Sequence, residues 1–281
     1  MNRKPHTIKD VFSDSVLRLL LVALILISVF PFVYMFILSL MNTSTMSLNM
    51  DKIRTADWTF MNYVNLFRST GGGMLRFIIN STVVTVYAVL VTCLVSAMAA
   101  YAFAKKKFLG RDKIYYVYVM SMMIPSQALL IPTFLLVREM GLINTYTALA
   151  LPTFNAFGVM LIRSFMKNLP DDLLEAADID GCGEIRKFTT IVLPLIKPAM
   201  VSLAIFTFIN VWGSLLWPLV ISSGDMTTIT QAVANMKGTL AKPNYGYIMA
   251  ATTVAFLPPF ILYIFLQKQF VEGIALSGIK G

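Results

Sequence analysis

The sequence predicts an all-α, polytopic membrane protein with six transmembrane helices. Three observations carry this: the apolar composition, six long uncharged stretches, and an uneven placement of lysine and arginine. Of 281 residues, 57% are hydrophobic and 13% charged, which is more apolar surface than a soluble domain of this length buries. An uncharged apolar run of about 18 residues or more crosses the roughly 30 Å hydrocarbon core as a helix, because a helix pairs its own backbone groups.

The elements follow in chain order. Residues 1–18 are a basic N-terminal segment, and residues 19–40 (Leu19 to Leu40) the first span. That run is too long for a signal peptide and no small-residue cleavage pattern follows it, so an uncleaved helix is expected. Residues 41–76 form a loop in which Gly71-Gly72-Gly73 is a flexible turn. Residues 77–267 are a five-helix core with spans at Phe77–Ala104, Ile114–Val137, Gly141–Ile162, Pro198–Gly224 and Tyr245–Gln267, and 268–281 are a tail. Met226 to Met236 is uncharged but shorter than a span and rich in Thr, Gln and Asn, which predicts a loop. Pro125, Pro132, Pro152, Pro218, Pro258 and Pro259 interrupt spans three to six, as in helices that bend. Ser96, Ala97, Ala99, Ala100 and Ala102 mark close helix contact.

Basic residues gather on the cytoplasmic face of a membrane. With both termini on one side, that side holds sixteen of the 23 Lys and Arg, among them Lys105, Lys106, Lys107, Arg163 and Lys187. The other side holds seven. Both termini of this multi-pass protein are therefore expected in the cytoplasm. The net charge of +9 is accounted for without a nucleic acid.

The segment 163–197, between spans four and five, is longer than a connector needs. Six of the fourteen acidic residues, Asp171, Asp172, Glu175, Asp178, Asp180 and Glu184, fall in it. Pro170 with Asp171 and Asp172 reads as a helix start, and Gly181 as a helix end. A second short helix is expected from about Gly183 to Val192, stopped by Pro194 and Pro198. Leu173, Leu174, Ala177 and Ile179 exceed what a three-turn helix buries alone. Such a face either docks into a partner's groove or rests on lipid headgroups, and the acids speak against headgroups.

Glu175-Ala176-Ala177, three residues, Gly181, nine residues, Ile191, one residue, Leu193-Pro194 resembles the complete EAA loop of bacterial ABC importer permeases. Asn80-Ser81, Met123-Ile124-Pro125, Pro132, Trp217-Pro218-Leu219 and the ending Phe270-Val271-Glu272-Gly273 with Gly278-Ile279-Lys280-Gly281 extend the likeness to the MalG-type carbohydrate branch. The resemblance implies a type I ABC importer permease fold. It implies a coupling helix, 169–181, that docks on an ATPase subunit through Glu175, Ala176, Ala177, Asp180 and Gly181, with Leu193 and Pro194 completing the loop. The implied partners are a second, homologous permease subunit in a heterodimer, two ATPase subunits carrying ATP and Mg, an extracytoplasmic solute-binding protein, and membrane lipid. Where the family reads Trp-Asn, this chain has Trp212-Gly213, with Asn210 earlier, so that asparagine's contacts do not carry over.

The chain has no GxxxxGK[ST] phosphate loop, so no nucleotide site, cofactor or catalytic residue is expected in it. Cys93, Cys182 and His6 suggest no metal and no disulfide. Ser126, Gln127, Asn155, Asn210, Trp212 and Ser214 are the candidates for a pathway taken by a hydroxyl-rich solute, although hydrogen bonding between helices is the commoner role of such residues. The alternatives are a permease for glycerol phosphate or a polyol, an ion-driven secondary transporter, and a membrane enzyme. No charged residue lies inside the six stretches, which counts against the transporter, and no His, Asp or Glu cluster at a membrane face supports the enzyme.

Overall fold

The computed structural model describes residues 8–43, 46, 54–68, 73–239 and 244–278; for 8–14, 237–239 and 268–278 it describes the backbone alone. Arg3, Lys4, His6, Gly71, Gly72, Ile279 and much of the predicted 41–76 loop lie outside the described residues. The helices are α1 (Ile8–Ser39), α2 (Met61–Arg68), α3 (Gly73–Lys105), α4 (Arg111–Met120), α5 (Leu130–Glu139), α6 (Tyr146–Ala150), α7 (Ala156–Lys167), α8 (Asp172–Ile179), α9 (Glu184–Leu195), α10 (Lys197–Trp212), α11 (Leu216–Ile221), α12 (Ile229–Thr239) and α13 (Tyr245–Gly278). Two compact units divide the chain, one of residues 1–72 and 236–254, the other of 73–235 and 255–281.

In the first unit, α1 leaves most of its apolar side chains exposed from Leu17 to Phe36. Its end is fastened by Asn62, whose Nδ2 donates to the carbonyls of Ser39 and Met41 at 2.9 Å. The Tyr63 and Ser39 hydroxyls meet at 2.7 Å. These bonds satisfy carbonyls that a helix end leaves unpaired.

The second unit is organised along α3, whose 33 residues span about 50 Å. Towards its Lys105 end, Cys93, Ala97, Ala100 and Tyr101 pack with Val159, Ile162, Leu203 and Ile196 of α7, α10 and the preceding turn. Towards its Gly73 end, Val84 packs with Val137, Leu149, Trp217 and Ile221 of α5, α6 and α11. Of the five small residues predicted to lie at a close contact, Ser96, Ala97 and Ala100 are buried, and Ala99 and Ala102 half-buried. A Cβ on Gly158 would stand 2.4 Å from Ser96 Oγ and 3.2 Å from Leu203 Cδ2, so α7 reaches α3 and α10 only because glycine has no side chain.

Three helices are alone long and apolar enough to cross a membrane, and two pairs bent by 54° and 77° raise the number to five. Three to five of the six predicted spans are thus seen among the described residues. The third stretch is the exception: after α4 and the 3-10 turn Ser121–Met123, Ile124 is extended at φ −81°, ψ 118°, as the residue before a proline must be. Helix resumes only at Leu130. The fourth stretch begins its helix at Tyr146 and bends between Thr153 and Ala156, next to Pro152. The fifth breaks at Gly213, and the segment 226–236, expected as loop, is helical from Ile229. Ser81 Oγ supplies a reason, accepting from the Ile229 N–H at 2.8 Å. The predicted tail is helical through Gly278.

The Gly158 contact predicts that Gly158→Val, whose branched side chain meets Ser96, lowers stability by about 1–3 kcal/mol, as overpacked sites do. Thermal unfolding in detergent measures it. Gly158→Ala combined with Ser96→Gly should recover most of the loss relative to Gly158→Ala alone; no recovery would show that the close approach is not what limits this position.

Candidate functional site

The segment that follows α7 leaves the bundle and folds into two short helices, α8 and α9. Arg163, on α7, fixes the exit. Its guanidinium lies 3.7 Å from the centre of the Tyr115 ring, and its Nε donates to the Phe103 carbonyl at 3.2 Å. Lys105, at the end of α3, then takes hold of the approach to α8, donating at 2.6 Å to the Leu169 carbonyl and to Asp171 Oδ1. Its side chain keeps only 4% of its surface exposed.

α8 starts after Asp171, with Asp172 and Glu175 in its first turn where the helix dipole favours negative charge. It ends as the sequence requires. Gly181 has φ +71°, its N–H donates to the Asp178 carbonyl at 3.0 Å, and the Cys182 N–H donates to the Ala177 carbonyl at 2.9 Å. This is the paired-bond helix stop that needs a left-handed residue.

The helix has two different faces. Ala177 is buried and Leu174 packs on the core cluster beneath. Leu173, Glu175, Ala176, Ile179, Asp180 and Gly181 are exposed, Ile179 to 89%, and Ile185 at the start of α9 to 81%. Among the described ion pairs none uses Glu175. Pro194 was expected to stop α9, yet helix continues to Leu195. A widened π turn, Lys187–Val192, precedes it; in a regular helix the proline ring would collide with the Thr190 carbonyl. Leu193 is half-buried and Pro194 exposed.

Beneath this face sits an arrangement the sequence did not reveal. Lys187, with 3% of its side chain exposed, bridges Asp178 Oδ1 at 2.5 Å and Glu184 Oε1 at 2.6 Å. The other oxygen of Glu184 accepts from the Tyr101 hydroxyl at 3.0 Å and pairs with Lys106. The ammonium of Lys106 in turn lies 5.0 Å from the centre of the Tyr101 ring. Hydrogen bonds from Lys106 and then Lys187 hold the Glu184 carboxyl down at about 2, while Asp178 and then Glu184 push the Lys187 ammonium upward. A lowered carboxyl stabilises the fold above its ordinary range and loses that effect only as the pH falls towards 2; a raised ammonium keeps its effect until the pH climbs past its ordinary range. Glu184 and Lys187 therefore both stay charged across physiological pH. The cluster's only signals in the sequence were the run Lys105-Lys106-Lys107 and the unusual density of acids in 171–184.

The candidate pathway residues divide. Ser126 and Gln127 lie in the break of the third stretch, exposed, with the Ser126 hydroxyl 3.3 Å from Gln127 Oε1. Asn155 stands at the bend of the fourth and caps α7 by accepting from the Phe157 N–H at 3.1 Å. Asn210 is exposed and Ser214 half-exposed at the end of α10. Trp212 is buried, stacked on Phe208 at 5.6 Å, and gives its indole N–H to the Ala255 carbonyl at 2.9 Å.

The comparisons with known proteins agree with this architecture. Residues 93–275 match the family model described as binding-protein-dependent transport system inner membrane component. The chain is 36% identical over 228 residues to the arabinooligosaccharides transport system permease protein AraQ of Halalkalibacterium halodurans, covering 79% of this chain and 80% of that relative. It is 36% identical over 186 residues to the sn-glycerol-3-phosphate transport system permease protein UgpE of Yersinia pestis, covering 65% of this chain and 66% of that protein. In three dimensions it resembles a chain of a bacterial ABC transporter involved in the import of the acidic polysaccharide alginate, with a TM-score of 0.80, 22% identity, and coverage of 95% of this chain and 100% of that one. With its family model covering well over half of its length, the chain belongs to the inner membrane components of binding-protein-dependent transport systems, the permease subunits of ABC importers.

Proposed function

We propose that this permease imports a neutral, hydroxyl-rich solute of the carbohydrate class, driven by ATPase subunits that dock on the exposed face of α8. The observation that carries the reading is that face. Its acidic and apolar side chains, Glu175, Ala176 and Ile179, point away from the protein, while the opposite side is anchored on the bundle. An apolar patch rimmed by charge is the mark of a protein contact. The excess of Lys and Arg on the side that carries α8 supports placing it, with both termini, in the cytoplasm.

The remaining assembly follows from this reading. Two ATPase subunits bind ATP and Mg, one under this chain and one under a second, homologous permease; this chain binds neither cofactor. A solute-binding protein delivers the solute from outside the bacterial inner membrane. The chain has no catalytic residues of its own; it moves when its ATPase closes.

The breaks support the pathway and the solute class. In hydrocarbon every backbone group needs a partner, so a non-helical segment at membrane depth lines either protein or water. The amides of Ser126 and Gln127 make no hydrogen bond among the described residues. α4 packs at the Lys105 end of α3 and α5 at its Gly73 end, so the break between them falls at mid-depth. Ser121–Leu129, Phe154-Asn155 and Gly213–Leu215 contain no charged residue. A glycerol phosphate, the second reading that UgpE suggests, would call for Arg or Lys there; a sugar does not.

Two outcomes are expected. Glu175→Arg should leave the protein in the membrane and abolish solute uptake by cells, whereas uptake at the normal rate would contradict the docking assignment. Ser126→Cys and Gln127→Cys should react with a water-soluble thiol reagent in at least one nucleotide state of the complex; the absence of reaction in both the nucleotide-free and the ATP-trapped state would remove them from the pathway.

A further inference from the structure

From the grip of buried Lys105, with Tyr101 and Lys106, on both short helices we infer that the end of α3 and the α8–α9 loop form one rigid body, so that force applied to the loop enters the bundle through α3. This rests on the reading of the loop as the ATPase docking site and adds a route to it. The chain itself offers the loop two covalent exits, forward into α10 across a bent junction and back into α7, a helix of 12 residues that bends at its far end. α9 meets α10 at 77°, and α7 meets the segment before it at 54°. A bent junction yields when pushed. Neither transmits a displacement as well as one unbroken helix does.

α3 is one helix, unbroken for 33 residues, and it runs through both core clusters. Its last turns grip the loop at two separate points. Lys105 holds the entry to α8 through Leu169 and Asp171. Tyr101 and Lys106 hold Glu184 at the start of α9. Lys187 then ties α9 back to Asp178 near the end of α8. Lys187, almost without exposed surface, stiffens the loop from within, and Lys105, equally buried, joins it to α3.

Burial decides what this cluster does. Ion pairs in water are weak and their partners exchange freely. Lys105 is the buried ammonium shared between α3 and the loop: if the loop moved away it would lose the Leu169 carbonyl and Asp171 together, so separation costs more than parting a surface pair. The two elements must therefore move together. Lys105, Lys106 and Glu184 are positioning residues: they touch neither nucleotide nor solute, and act through α8.

The test uses the purified complex with its ATPase subunits in proteoliposomes. Spin labels on native Cys182 and on Leu109→Cys, at a fully exposed position beyond the end of α3, report the distance between loop and helix in the nucleotide-free and ATP-trapped states. The inference predicts the same distance distribution in both; a shift between states overturns it without any change to the clamp. Lys105→Met with Asp171→Asn should keep ATP hydrolysis while solute moved per ATP falls about tenfold, in the range of ordinary coupling between sites, and Lys105→Arg should retain coupling. Unchanged transport per ATP in the charge-free variant also overturns the inference. The docking reading fails separately, if the unaltered complex shows no ATP-dependent uptake.

Discussion

An ammonium group almost stripped of water governs how the loop is held. Lys187 must keep its charge compensated wherever it sits, and the two carboxylates that compensate it come from different short helices. Neither α8 nor α9 is long enough to be stable alone. Their mutual orientation comes from this pairing, the glycine stop at Gly181, and the anchorage on Lys105, Lys106 and Tyr101. What remains uncovered is one face of α8. The same charges that fix the inner side leave Glu175 free for an outside partner.

The bundle obeys a second constraint, the absence of water inside a bilayer. Long helices satisfy it trivially, and α3 does so for its whole length. The third and fourth stretches do not, and both interrupt their hydrogen-bond ladders beside a proline. Such interruptions are tolerable where the freed amides meet protein or water. Exposed uncharged polar residues collect at these places, Ser126 and Gln127 at one and Asn155 at the other, which is the composition a neutral sugar requires.

Much of this was legible in the chain itself. The apolar runs foretold the helices, the spacing from Glu175 to Pro194 foretold the loop, and Gly181 its first turn, because each depends on neighbours in sequence. Ser96, Ala97 and Ala100 announced a close contact for the same reason. The clamp was not legible, since Lys105 and Asp171, or Tyr101 and Glu184, meet only after some 65 to 83 intervening positions have folded. The lysines were read as a marker of sidedness, which leaves their partners unnamed. Pro194 misled because a π turn, which depends on the whole local backbone, relieved the clash expected of it.

The central claim is that the outer face of α8 meets an ATPase. A photoreactive amino acid placed at Ile179, the most exposed apolar side chain of that helix, tests this in intact membranes of cells making all the transporter's subunits. Irradiation should yield a covalent adduct with a separate, ATP-binding polypeptide; adducts with lipid alone would contradict the account.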